Sequence, residues 1–157
     1  MKLYIVRHAH AVSEEEDPAR PLSAEGREAA QEMARWLRRC TAPDVEEIWH
    51  SALVRARETA ELFAEGLRLK SRLREVPGLL PEVPPATMAT ALGRHHNSVM
   101  IVGHEPQLSA LAGLLLGLTD GVVEFRKGAV LCLDRPMRGG PWTLAWLVSP
   151  PLIAGGD

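Results

Sequence analysis

The chain has 157 residues, of which 46% are hydrophobic and 24% charged, and this composition is typical of a globular protein. Its formal net charge of −2 at pH 7 argues against a nucleic-acid-binding protein, because such proteins need a basic surface. The longest apolar stretch, at positions 111–118, is too short to span a membrane and contains glycines.

The length is that of one domain, and we expect a single unit over residues 1–149 followed by a loose tail over 150–157. The first predicted strand follows Met1 almost directly, so no signal peptide is expected. Cys40 and Cys132 are too few for a disulfide framework, and both fall on predicted apolar faces. We therefore expect buried free thiols and a cytoplasmic protein. The sequence leaves the oligomeric state open, and a monomer is favoured.

Strand and helix patterns alternate from the start of the chain. The β-branched apolar run Leu3–Val6 predicts a buried strand, and this strand is followed at once by Arg7 and His8. Ser23 is a suitable N-cap for a helix that we expect to extend to about Arg39, with apolar residues at helical spacing on one side.

The same alternation continues through the middle of the chain. Glu47–His50 predicts a second strand, and the pattern over 53–65 predicts a helix that ends at Gly66. Positions 73–76 predict a short edge strand, and the proline-rich stretch 77–85 is expected to be irregular.

The remaining predicted elements are a short helix at 87–92, a strand at 98–102, a helix at 107–116 and a C-terminal hairpin at 129–148. Pro106 suits the first turn of the helix that follows it. Strands that alternate with helices favour a parallel sheet with helices on both faces. The sequence therefore predicts an α/β fold, a three-layer sandwich in which helices flank a mostly parallel central sheet.

Two of the predicted strands bring reactive side chains to the same edge of this sheet. Arg7 and His8 follow the first strand and His104 follows the fourth, and ligands bind at the carboxyl ends of such strands. A neutral imidazole can act as a nucleophile, and a guanidinium can hold two phosphate oxygens. Arg55, in the first turn of the helix after the second strand, can reach the same edge, and His104, if protonated, would be a further donor. These residues predict a site for a phosphoryl group.

Five segments of the chain, which occur in the order typical of the family, resemble the histidine phosphatase superfamily. Three of them carry the superfamily's motifs, namely Leu3–His8, Ser51–Ala60 and Gly103–Pro106. The short length, with the segments Arg20–Gly26 and Phe125–Ala129, is similar to its branch of small phosphohistidine phosphatases.

This resemblance implies a phosphoglycerate mutase-like fold and a mechanism in which His8 becomes phosphorylated. It also implies a catalytic set of His8, Arg7, Arg55 and His104, in which the last three also bind the substrate. Arg20 is a further candidate for substrate binding, with an ion pair to a neighbour such as Asp17 as the alternative.

The expected substrate follows from the missing general acid. Many superfamily members carry an acidic residue that protonates an alkoxide, and here only Glu75 and Glu82 lie in a suitable region, neither with a convincing context. A histidine ring leaves far more easily, because its unperturbed pKa is about 6.5. A chain this short also leaves little lid over the pocket, which suits a phosphohistidine presented by a partner protein, for example a histidine phosphotransfer domain.

Two other functions remain open at this point. The first is a phosphomonoesterase or mutase that acts on small metabolites, and the second is a catalytically idle module that only binds phosphoproteins. Retention of both His8 and His104 argues against the idle module, since binding alone would need only the arginines.

The remaining candidates are weaker. The six histidines and two cysteines show no His-x-x-x-His or Cys-x-x-Cys spacing, so neither a metal nor an organic cofactor is expected. His10 lies near the predicted rim and could contact substrate, whereas Arg57 is expected to be a surface charge. Ser51 and Thr59 are expected to organise the local backbone rather than to touch phosphate.

Overall fold

The strands form one central sheet in a computed structural model that describes residues 1–70, 72–119 and 122–153. Within those residues they are β1 (Lys2–Arg7), β2 (Glu47–His50), β3 (Arg72–Glu75), β4 (Val99–Gly103), β5 (Val130–Asp134) and β6 (Thr143–Val148). Their order across the sheet is β3-β2-β4-β1-β5-β6. Strands β3, β2, β4 and β1 are parallel to one another, whereas β5 runs antiparallel to both β1 and β6. The predicted mostly parallel sheet and C-terminal hairpin are confirmed.

Helices cover both faces of this sheet. They are α1 (Ala24–Cys40), α2 (Val54–Leu67), α3 (Pro85–Arg94), α4 (Gln107–Leu116) and the short α5 (Pro150–Ile153). Successive side chains of a strand point to opposite faces, so β1 contributes to two cores. Tyr4 and Val6 pack in the core that α1 and α2 cover, whereas Leu3 and Ile5 pack in the core that α3 and α4 cover. The predicted three-layer α/β architecture is confirmed.

The start of α1 is fastened to the segment that follows β1. As predicted, Ser23 caps this helix, and its hydroxyl accepts a hydrogen bond from the backbone N–H of Gly26 at 3.0 Å. The N–H of Ser23 donates in turn to the carbonyl of His10 at 3.0 Å. A Cβ on Gly26 would lie 2.0 Å from that carbonyl oxygen, so the close approach requires glycine.

The prediction that Gly66 ends α2 is wrong. Gly66 lies inside the helix, where an added Cβ would approach the Cβ of Ala34 to 2.6 Å, so this glycine allows α1 and α2 to pack closely. The helix continues to Leu67, and Arg68 follows in the left-handed conformation with a φ of 54°.

Two expectations about exposure are also wrong. The stretch Pro150–Ile153 is not a loose tail, because it forms α5 and buries Ile153 in the core beside α1; residues 154–157 lie outside the described part of the chain. Cys132 is buried as expected, but Cys40 is exposed. Cys40 is the last residue of α1 and lies beyond Leu37, the last buried residue of that helix.

Across the described ranges, the helices lack the combination of length and apolar character needed to traverse a lipid bilayer.

We expect Gly26→Ala to lower the free energy of unfolding by more than about 1 kcal/mol, because the new methyl group collides with backbone that cannot move away easily. Gly93→Ala is the matched control, since an added Cβ in this exposed turn of α3 meets nothing within 4 Å. The control should be neutral or stabilising by up to about 1 kcal/mol. Urea unfolding measures both, and equal effects of the two substitutions would contradict the close contact at Gly26.

Candidate active site

The two predicted catalytic histidines lie side by side because their strands are neighbours. Strands β1 and β4 are parallel, and Arg7, the last residue of β1, is paired with Gly103, the last residue of β4. His8 and His104 therefore leave the sheet at the same edge. Their ring centroids are 5.0 Å apart, with an angle of 51° between the ring planes.

The hydrogen bond of His8 determines which of its ring nitrogens is nucleophilic. Its Nδ1 lies 2.7 Å from the carbonyl oxygen of Ala9, and because a carbonyl can only accept, Nδ1 carries the hydrogen. The lone pair of the neutral ring is then on Nε2. Burial lowers the pKa of His8 from 6.5 to about 4. The Ala9 hydrogen bond opposes this shift, whereas the charges of Arg55, Arg7 and Lys127 add to it. The imidazole is neutral at pH 7, as a nucleophile requires.

His104 is oriented by a buried serine. The Nε2 of His104 lies 2.5 Å from the hydroxyl of Ser51, a residue with no exposed surface. That hydroxyl accepts from the N–H of Leu53 at 3.3 Å, so its own hydrogen is available to donate to Nε2. This arrangement places the hydrogen of a neutral His104 on Nδ1, which is buried and has no hydrogen-bond partner within the described structure.

A protonated His104 is not needed to provide a donor here. Burial is the largest cause that lowers the pKa of His104 to about 3, followed by the charges of His8, Arg55, Arg7 and Arg20. Before substrate binds, the ring is therefore neutral at pH 7, and its donor is the Nδ1–H that the contact with Ser51 selects.

Arg7 and Arg55 bring positive charge that no described carboxylate neutralises. Arg7 donates through Nη1 to the carbonyl of Phe125 at 2.7 Å, which fixes its position. The Nε atoms of both arginines are buried without a described partner, and neither side chain takes part in a described ion pair. Burial, together with the charge of Arg20, lowers the pKa of Arg55. Desolvated cations of this kind favour the binding of an anion.

Thr59 connects helix α2 to the residue that follows His8. Its hydroxyl donates to the carbonyl of Arg55 at 2.7 Å and accepts from the N–H of Ala9 at 3.1 Å. The expectation that Thr59 organises local backbone agrees with these contacts. Ser51 does more than was expected, because it bonds to a predicted catalytic side chain. Its place immediately after β2, at the same edge as His8, was the signal in the sequence.

Arg20 lies at the border of this site. It adopts a φ of 49°, and its Nε donates to the carbonyl of Val12 at 3.2 Å. Its charge acts on both Arg55 and His104. The described contacts of its guanidinium do not include the ion pair with Asp17 that was the alternative; Arg20 meets Asp17 through a backbone hydrogen bond.

The other candidates lie apart from the imidazole pair. His10 is exposed, with its Nδ1 at 2.8 Å from the hydroxyl of Ser23, and Arg57 pairs with Glu61 on the surface of α2. Glu75 and Glu82 are exposed, and their carboxyl groups take part in no hydrogen bond or ion pair within the described structure. No carboxylate is among the groups whose charges shift the pKa of His8 or His104.

A metal centre has no ligand set in the described ranges. Residues 1–70, 72–119 and 122–153 contain no group of three or more His, Cys, Asp or Glu side chains placed to hold an ion. The arrangement at the edge of β1 and β4 consists of two neutral imidazoles, hydrogen-bond donors and arginine side chains.

Paired histidines and arginines at the carboxyl edge of an α/β sheet form a site suited to a phosphoryl group, and sequence comparison points to the same chemistry. The sequence model of the histidine phosphatase superfamily (branch 1) matches residues 3–79. This match extends over just under half of the chain, so the chain is similar to this superfamily, and the similarity supports phosphatase activity.

Among individual proteins, the chain is similar to the phosphohistidine phosphatase SixA of Escherichia coli K12. The two are 29% identical over 156 residues, which is 96% of this chain and 94% of SixA. The solved structure of the protein histidine phosphatase SixA complexed with tungstate superposes with a TM-score of 0.86 at 26% identity, covering 98% of this chain and 99% of that one. The putative α-ribazole-5′-phosphate phosphatase of Escherichia coli K-12 shares the fold, with a TM-score of 0.76 at 18% identity and coverage of 96% and 97%.

We expect Ser51→Ala to lower turnover of an aryl phosphate by about ten- to a hundredfold, because His104 loses the contact that orients its ring and selects its tautomer. Ser98→Ala is the matched control, since Ser98 only accepts a backbone hydrogen bond from Lys2 near the opposite end of the strands. In ¹⁵N spectra, the ring of His104 should change its tautomer in Ser51→Ala and keep it in Ser98→Ala. Unchanged turnover and tautomer in Ser51→Ala would show that the hydroxyl does not position His104.

Proposed function

We propose that this protein is a phosphatase that removes the phosphoryl group from phosphohistidine on a partner protein, through a phosphohistidine intermediate on His8. The observation that carries the proposal is a neutral, oriented imidazole beside two half-buried arginines, with no carboxylate among the groups that shift its pKa. The similarity to SixA over nearly the whole chain supports the same substrate class. The structure of SixA was solved in complex with tungstate, which supports an oxyanion as a ligand of this chain too.

In the first step, the lone pair on Nε2 of His8 attacks the phosphorus, and the bond between phosphorus and the substrate's ring nitrogen breaks. The bonding electrons return to the substrate ring, which leaves as neutral imidazole when its other nitrogen is already protonated. His8 becomes a phosphorylated imidazolium, whose Nδ1–H still donates to the carbonyl of Ala9. That hydrogen bond stabilises the new positive charge.

In the second step, water attacks the phosphorus in line with the bond to Nε2. The electrons of that bond return to His8, which becomes neutral again, and inorganic phosphate leaves with the oxygen of the water. Arg7, Arg55 and the Nδ1–H of His104 stabilise the non-bridging oxygens in both steps, and Arg20 binds at the border. These groups supply the positive charge for which other phosphatases use a metal ion, so the mechanism requires no cofactor.

The leaving group explains why phosphohistidine suits this site better than a phosphate ester. A sugar or serine alkoxide leaves slowly unless an acid protonates it, and an acid must lie within hydrogen-bond reach to do so. Glu75 and Glu82 are exposed, and neither has a described contact with His8 or His104. Imidazole needs no such help, since its conjugate acid has a pKa of about 6.5.

We expect His8→Ala to abolish both turnover and covalent labelling by a radioactive phosphoryl donor, because it removes the nucleophile. The wild-type label should be lost in acid and survive alkali, as the phosphorus–nitrogen bond of phosphohistidine does. His96→Ala is the control, since His96 is exposed in the loop before β4, near the opposite end of the strands, and it should label normally. A His8→Ala protein that still incorporates phosphate would place the nucleophile elsewhere.

We expect the rate to depend steeply on the leaving group. Phosphohistidine and p-nitrophenyl phosphate should be hydrolysed, whereas phosphoserine and sugar phosphates should react poorly. Glu75→Gln and Glu82→Gln should leave phosphohistidine turnover nearly unchanged, because the departing ring does not need a proton from either carboxyl group. Steady-state rates on this panel test the substrate class. Efficient sugar-phosphate hydrolysis that is lost in either glutamine variant would instead favour the metabolite phosphatase.

A further inference from the structure

A tight turn before β5 lies directly against the catalytic strand. In residues 126–129 the N–H of Ala129 donates to the carbonyl of Arg126 at 2.9 Å, and Gly128 has a φ of 75°. A closing hydrogen bond with positive φ at the third residue alone is the geometry of a type II turn, which favours glycine at that position. Lys127 is the second residue of this turn, at its corner, and its side chain is exposed.

Four hydrogen bonds hold this turn and its flanks to Arg7 and His8. The N–H of Gly128 is shared between the carbonyls of Arg7 and His8, at 3.1 and 3.2 Å. The N–H of Arg7 donates to Ala129 at 3.2 Å, and Nη1 of Arg7 donates to the carbonyl of Phe125 at 2.7 Å. Because these bonds lie on both sides of Lys127 in the chain, the backbone of this residue has a defined position relative to the nucleophile.

The charge of Lys127 acts on His8 and is not neutralised locally. Lys127 is one of three cations that lower the pKa of His8, with Arg55 and Arg7, although burial is the larger cause. It takes part in no ion pair within the described structure. Arg126, its neighbour, is equally exposed but is not among the groups that shift His8.

Lys127 and Arg20 act on different members of the site. The charge of Arg20 acts on His104 and Arg55, whereas that of Lys127 acts on His8. This agrees with the sheet order, in which β1 lies between β4, which precedes His104, and β5, which the turn precedes. A phosphoryl group on His8 therefore has His104 on one side and the Lys127 turn on the other.

We propose that Lys127 is a further ligand of the phosphoryl group, and that its ammonium donates to a non-bridging oxygen on the β5 side of His8. This assignment rests on the proposed function only in taking a phosphoryl group as the bound anion. A lysine suits this place, because its flexible stem lets the ammonium follow the phosphoryl group from the substrate nitrogen to Nε2 of His8. Arg7, held by Phe125, has no such freedom.

The test is the affinity of the free protein for inorganic phosphate, measured by calorimetry. Lys127→Met removes the charge and keeps most of the stem, and it should weaken phosphate binding about tenfold, as the loss of a charge-assisted hydrogen bond does. Arg126→Met is the matched control: it removes the same charge from the adjacent position of the same turn. It should change the affinity by less than about twofold. Lys127→Arg should retain most of the affinity.

A second measurement, the pKa of His8, tests whether the charge of Lys127 acts on this ring. Loss of the Lys127 charge should raise the pKa of His8 in an NMR titration, because one of the cations that opposes protonation is gone, while Arg126→Met leaves that pKa unchanged. Equal phosphate affinity in wild type and Lys127→Met would overturn the assignment, and so would equal weakening by the two methionine variants, since that would indicate only a long-range field.

These outcomes are independent of the substrate class. If phosphohistidine proteins are not hydrolysed but Lys127→Met still weakens phosphate binding selectively, the proposed function fails and the ligand assignment holds. If phosphohistidine is hydrolysed equally by wild type and Lys127→Met, and phosphate binds equally to both, the ligand assignment fails and the proposed function holds.

Discussion

The structure depends on half-buried positive charge at one sheet edge that has no described counter-ion. Arg7 and Arg55 have buried Nε atoms with no described partner, and no carboxylate acts on the two imidazoles beside them. Such an arrangement destabilises the free protein, because desolvated charges and unpaired donors cost free energy. Burial, reinforced by the charges of these arginines, lowers the pKa of both histidines and keeps them neutral at pH 7, and the site is left complementary to an anion. Binding a phosphoryl group removes the electrostatic penalty, so the site is best satisfied when its substrate is present.

The segment after β2 organises this edge through three residues. One lies in the loop before α2, and the other two lie one turn apart in that helix. Ser51 orients His104, Arg55 contributes charge, and Thr59 ties the carbonyl of Arg55 to the N–H of Ala9. Ala9 in turn accepts the hydrogen bond from His8 that directs its lone pair to Nε2. This short stretch thus selects the tautomer of His104 and holds the backbone of Ala9, whose carbonyl selects the tautomer of His8. The motif Ser51–Ala60 thus combines three contributions, namely orientation of a ring, positive charge and attachment of the backbone.

The chemistry of the leaving group connects the site to a substrate class. A site that offers cations and a neutral imidazole, with no carboxylate among the groups that act on the two rings, can stabilise a phosphoryl group but gives no help to an alkoxide. Proteins that share this fold with the chain at low sequence identity include a putative α-ribazole-5′-phosphate phosphatase, so the fold does not select the substrate. Selection must then come from side chains around the site, where the charge of Lys127 acts on His8 and that of Arg20 on His104.

The local sequence pattern determined the architecture and the main residues of the site. Alternating apolar runs and the Ser23 cap predicted the strands and α1, and parallel strands necessarily bring their carboxyl ends, and so His8 and His104, to one edge. The sequence could not show that Gly66 continues α2, because its packing against Ala34 involves a different helix. It also could not assign Ser51 to His104, 53 residues away, or place Lys127 beside His8. Periodicity and capping act over a few residues and can be recognised locally, whereas these contacts exist only after distant segments have packed, and tertiary structure alone decided them.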